Sequence, residues 1–175
     1  AEILLHNAYH LMVRPGAELI GRQDGVHSFM RWNGPILSDY GVYQAFSMAD
    51  INAVDDDGVR FRSFVTGEAL HLGPEHTIEV QNQLGADIIM AFDDCPSSVA
   101  PQTQNLARRR HAQVAREGAM TEAQHETRLE QSIDRTTQWL TRCAAAHQRP
   151  ADQALFGIVQ GGTNMDLRSR SAEQI

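Results

Sequence analysis

The chain has 175 residues, of which 42% are hydrophobic and 21% charged, and it carries a formal net charge of −7. That balance suits one globular domain able to bury a sizeable core, and it excludes a disordered chain. The acidic surplus argues against a general polyanion-binding surface, and no apolar run approaches the ~20 residues of a membrane span.

Ala1-Glu2-Ile3-Leu4-Leu5 has no basic leader and reads as a strand entered partway, so residues upstream are expected. The two cysteines, Cys95 and Cys143, form no framework and no CxxC motif, which points to a reduced, intracellular setting. Arg108-Arg109-Arg110 is the only compact basic patch and reads most simply as a solvated face.

In chain order, the first strand covers Ile3-Leu4-Leu5. A helix is expected over 11–22, with Pro15-Gly16 setting its true start near Pro15. Residues 25–33 look like a loop whose Phe29, Met30 and Trp32 cap the core. Ile36-Leu37 is a second, buried strand, and a short helix follows over 44–50.

Asp55-Asp56-Asp57-Gly58 is a turn, and Val59-Arg60-Phe61-Arg62-Ser63 alternates with period two, as a half-buried strand does. Thr66-Gly67 turns it and Ala69-Leu70-His71-Leu72 returns, making an inserted hairpin. Pro74 and Glu75 open a helix that Gly85 closes. A strand from Asp87 to Phe92 follows. Residues 102–126 are polar and read as a partly helical surface insertion. Leu129, Ile133, Leu140 and Ala144 keep helical spacing over 127–147, and Arg149-Pro150 ends that helix. Ala154 to Val159 is another strand, and 166–175 begins another helix.

Strand and helix alternating with short connectors indicate a parallel α/β sheet. There is no glycine-rich phosphate turn after the first strand, so a partial (β/α)8 TIM-like barrel fits better than a doubly wound sheet. The whole of 1–175 then forms part of one barrel domain.

Three strand ends carry the candidate chemistry. Ile36-Leu37 runs through Ser38 into Asp39, the Asp87 strand into Asp93-Asp94-Cys95, and the Ala154 strand into Gln160-Gly161-Gly162. Parallel strands deliver such groups to one edge, which suggests a shared pocket. Asp39 and Asp93 form a carboxylate pair suited to displacement at a sugar's anomeric carbon. A helix cap is the competing role for each, and Asp94 competes with Asp93. The Gln160 amide offers a donor and an acceptor to a base edge, with the glycines admitting a planar ligand; a simple turn is the alternative. Tyr43 can stack on a heterocycle or pack in the core. His6 and His10 lack the intervening Glu of a zinc helix and are not expected to bind metal. Cys95, beside two acids, is a poor nucleophile.

Several of these segments together resemble the queuine tRNA-ribosyltransferases, or tRNA-guanine transglycosylases. They are Asn7-Ala8-Tyr9-His10-Leu11 with Arg14-Pro15-Gly16, Ser38 to Gln44, Gly58 to Ser63, the Asp93 stretch, and Gly157 to Gly162. The likeness runs nearly end to end apart from 102–126. Asp87-Ile88-Ile89-Met90, Ser97-Ser98-Val99, Arg142-Cys143 and 145–150 look closer to the eukaryotic catalytic-subunit type.

The resemblance implies a (β/α)8 barrel that exchanges an anticodon guanine of tRNA for queuine or a related 7-deazaguanine. It also implies a cytoplasmic setting, and a homodimer or a heterodimer with a related accessory subunit. The covalent aspartate and a zinc site are expected later in the chain, so no cofactor is expected in this segment and the piece alone is expected to be inactive. By the match, Asp39 accepts a proton at the base, Asp93 and Gln160 hydrogen-bond its edge, and Tyr43 stacks on it. Tyr40, Gly41 and Val42 line the pocket where the family has Ser-Gly-Gly. That departure favours a second reading, a non-catalytic accessory or decayed paralogue that binds base or tRNA without turnover. A barrel glycosidase using Asp39 and Asp93 is a third, which the Gln160 motif disfavours.

Overall fold

The computed structural model describes residues 1–40, 50–62, 67–100 and 119–175, with side chains of 50–53 left aside. Four strands form a parallel sheet: β1 (Leu4–Asn7), β2 (Ile36–Asp39), β6 (Ile88–Met90) and β7 (Ala154–Phe156), side by side in chain order. Between β2 and β6 lies a separate antiparallel sheet of β3 (Asp50–Asp55), β4 (Gly58–Arg62) and β5 (Ala69–Leu72). This is an α/β architecture, as the alternation of elements implies. The expected hairpin is correct at β4–β5, but β3 makes it three-stranded. Its polar residues, Asp50, Asn52 and Asp55, hid that strand in the sequence.

The helices are α1 (Ala8–Val13), α2 (Ala17–Gly21), α3 (Gly25–Met30), α4 (Pro74–Leu84), α5 (Glu122–Ala146) and α6 (Met165–Glu173). Three expectations are corrected here. A helix does begin just past Pro15-Gly16, at Ala17, but 11–22 is not one helix: a separate one precedes it from Ala8, where the Asn7 side chain caps it by accepting from the His10 N–H at 3.1 Å. Residues 25–30 are helical rather than loop, and Phe29 and Met30 stand largely exposed; only Trp32 of that trio packs on the core. Helix α5 begins at Glu122, inside the span assigned to the insertion, where Thr121 and Gln124 form a reciprocal capping box. Residues 102–118 of the proposed insertion, with the Arg108–110 patch, and all but Asp50 of the expected 44–50 helix lie outside the described residues; Asp50 opens β3.

In α5 the buried stripe is Leu129, Ile133, Thr136, Trp139 and Cys143, whereas Ala144 is exposed. Pro74 and Gly85 bound α4 as expected, with Gly85 at φ 72° closing the last turn.

The sheet has two unlike faces. Ile36, Ser38 and Ile89 are completely buried beneath the helices. Leu5, Leu37, Ile88, Met90 and Phe156 fall on the other face, where Leu5 is 66% and Phe156 50% exposed. Register places Asp39 on that second face, two residues beyond Leu37. The sheet is pinned at its base by Asp87, whose Oδ2 accepts the Ile36 N–H at 2.7 Å and pairs with His27 Nε2 at 3.1 Å.

Candidate functional site

Because β2, β6 and β7 are parallel neighbours, their C-terminal ends share one edge. Asp39 closes β2 there, half-buried. Beyond β6 the chain runs on through Ala91, Phe92 and Asp93, all buried. Phe92 is fixed by stacking on Trp139, with ring centroids 4.7 Å apart, and its N–H donates to Cys143 Sγ at 3.5 Å. Beyond β7 the Gln160 N–H donates to Ser171 Oγ of α6 at 2.9 Å. These anchors bring Asp93 and Gln160 together: Gln160 Nε2 donates to Asp93 Oδ2 at 2.8 Å, with both side chains buried.

The two acids after β6 take different partners. Asp94, fully buried, is gripped by α5: Arg128 donates from Nη1 and Nη2 to its two oxygens at 2.9 and 2.6 Å, and Arg135 Nη1 adds a third contact at 2.6 Å. The Asp94 N–H donates to Thr136 Oγ1 at 3.0 Å. The structure thus separates the acid held by arginines from the acid that meets the amide. Sequence reasoning missed this cluster, although Arg128 and Arg135, two helical turns apart, were the available signal.

Tyr40 goes elsewhere. Its ring is in the core and its hydroxyl donates to Met12 Sδ at 3.0 Å. Burial, and after it the nearby Tyr9, push that hydroxyl well above its ordinary range, so it stays protonated. Its bulk is absorbed by packing rather than spent on the strand-end edge. Gly41, Val42 and Tyr43 lie outside the described residues.

The two glycines after Gln160 have a packing reason as well as the expected one of admitting a ligand. Gly161 has φ +105°, and a Cβ there would meet Arg168 N and Leu167 C at 2.8 Å; a Cβ on Gly162 would approach Leu129 and Ser98. The missing side chains make room for α6 and α5. Cys95 behaves as expected: burial first, then the charges of Asp93 and Asp94, raise its thiol to about 11. Among the described residues no group of three or more His, Cys, Asp or Glu could hold a metal ion, and none of their helices is long and apolar enough to cross a membrane.

A parallel α/β protein with a buried carboxylate–amide pair at the carboxyl edge of its strands defines the class. The family model for queuine tRNA-ribosyltransferase matches residues 1–117 and 112–175, and the chain belongs to that family. It is 42% identical over 175 residues to the queuine tRNA-ribosyltransferase of Halalkalibacterium halodurans, 44% to that of Lysinibacillus sphaericus and 43% to that of Macrococcus caseolyticus. Each match covers all of this chain and 40% of the relative. These relatives are bacterial, which lends no support to the eukaryotic-type likeness.

Proposed function

We propose that the chain is part of the catalytic barrel of a tRNA-guanine transglycosylase, which exchanges the anticodon wobble guanine for queuine or a related 7-deazaguanine. The observation that carries this reading is the 2.8 Å contact between Gln160 and Asp93 on the edge that also holds Asp39. A purine-like edge sets N–H donors beside a carbonyl acceptor. A carboxylate and an amide side by side match that pattern: Asp93 accepts from the base N–H groups, and Gln160 donates to the carbonyl. Asp39, one strand over, serves as the proton acceptor at the base. The covalent ribosyl intermediate needs a nucleophile, and we assign none within this chain.

The barrel form is part of the same proposal. Strictly sequential parallel order favours a barrel over a doubly wound sheet, whose order reverses at its switch point. The exposed apolar face with Leu5 and Phe156 is what a barrel interior presents before its remaining strands cover it. The zinc site would then belong to that remainder, along with the dimer contacts, and the setting would be cytoplasmic. The substitution of Tyr40 for the family's serine was the reason to consider a non-catalytic paralogue. With that ring in the core, the argument rests on Val42 alone.

A full-length form of the protein should incorporate labelled guanine into tRNA, and Asp39→Asn should abolish it. Undiminished exchange in that variant would remove Asp39 from the chemistry, and a parent protein that binds tRNA without exchange would remove the enzyme assignment.

A further inference from the structure

We propose that Asp94 is the positioning residue of this site: its carboxylate, held by Arg128 and Arg135, sets the angle at which Asp93 meets Gln160. The inference rests on the reading of Asp93 and Gln160 as the base-holding pair.

Asp93 sits between two immobilised neighbours. On one side Phe92 is stacked on Trp139 and tied to Cys143. On the other, Asp94 is held by three guanidinium contacts to its side chain and by Thr136 at its N–H. All the partners on both sides belong to α5, so one rigid helix fixes the peptide that aims the Asp93 carboxylate. A buried ion pair is a poor route to stability by itself, because desolvation offsets the attraction; fixing a conformation is a better-attested use.

Charge supports the same role. Two guanidiniums offset the Asp94 charge that lies next to Asp93 in the chain. Without the Asp94 charge, those guanidiniums become competitors for Asp93 and draw it off Gln160. Arg135 also donates from Nε to Asp56 Oδ1 at 3.1 Å, in the β3–β4 turn, while Trp139 Nε1 and Arg142 Nη1 each reach the Asp56 carbonyl at 2.8 Å. The second sheet is therefore clamped to the same helix that aims the site.

The test is guanine exchange in the full-length protein, measuring kcat and the KM for guanine at saturating tRNA, with thermal melting of each variant. Asp94→Asn should raise the KM for guanine about tenfold, the scale of a small misplacement, with kcat within about twofold. Asp94→Glu, which keeps the charge, should recover part of that loss. If Asp94→Asn does not fold, Arg135→Lys carries the same expectation at about threefold. A lowered melting temperature with unchanged KM in the folded variant overturns the proposal, because Asp94 is then structural only. Asp93→Asn separates the two levels. If it leaves the KM for guanine unchanged, the base-holding pair itself is wrong; if it raises KM while the Asp94 and Arg135 variants do not, only the positioning role falls.

Discussion

Gln160 and Asp93, 67 residues apart in sequence, meet in a 2.8 Å hydrogen bond between buried side chains. On the proposed reading, the edge of a bound base replaces this contact. Gln160→Glu sets two carboxylates at that distance, so one must take up a proton and the donor pattern is scrambled. Losing one or two such hydrogen bonds costs about 1–3 kcal/mol. The KM for guanine in the full-length protein should therefore rise roughly 5- to 150-fold. An unchanged KM would exclude Gln160 from the base edge.

Trp139 is the keystone of α5. Its ring is fully buried against Phe92, and its Nε1–H donates to the Asp56 carbonyl at 2.8 Å. Trp139→Ala should cost about 3–5 kcal/mol in unfolding free energy, through the cavity and the lost contacts. Trp139→Phe keeps most of the apolar surface and should cost less than half as much. Urea titrations of both variants against the parent check the order and the gap.

Alkaline pH should destabilise the fold through its buried thiols, joined above pH 10 by the buried Tyr40 hydroxyl. Burial raises both Cys95 and Cys143 from 9.0 to about 11. A thiol harder to ionise in the folded state contributes stability that is fully present below pH 9 and is lost as pH climbs through 11. All fifteen basic side chains are arginine, so no lysine titrates across that window. The urea midpoint should fall between pH 8.5 and about 11, and replacing both cysteines with alanine should flatten the decline. A decline of equal steepness in the double variant would trace it to other groups.

Gly58 opens β4 at φ +150°, and a Cβ there would lie 2.1 Å from the Leu72 carbonyl oxygen of β5. No side-chain rotation relieves a clash with backbone. Gly58→Ala should cost about 1–3 kcal/mol as β4 and β5 are forced apart. Amide exchange should speed up first in Val59 and Leu72, which pair across those strands. Protection unchanged at both positions would contradict the tight approach.

The second sheet shows where local reading succeeds and where it stops. Alternation in Val59, Arg60, Phe61 and Arg62 identified β4, because period-two burial is written into side-chain chemistry. Strand β3 alternates only over Asp50-Ile51-Asn52-Ala53 before Val54 and Asp55 break the period, and pairing with β4 makes it a strand. In the same way, 25–30 looked like loop because a six-residue helix carries too few positions to show a period.

Sequence alone was enough for the parallel α/β class, the four strand positions and the groups at three strand ends, since short apolar runs closed by polar residues reflect burial and its limits. It left open which of two adjacent acids faces the amide, whether Tyr40 fills the site or the core, and what the paired glycines accommodate. Those outcomes depend on contacts between residues far apart in the chain. Two arginines on α5 claim Asp94, Met12 receives Tyr40, and α6 occupies the space beside Gly161. Only the packed arrangement sets those distances, so only the tertiary structure could decide them.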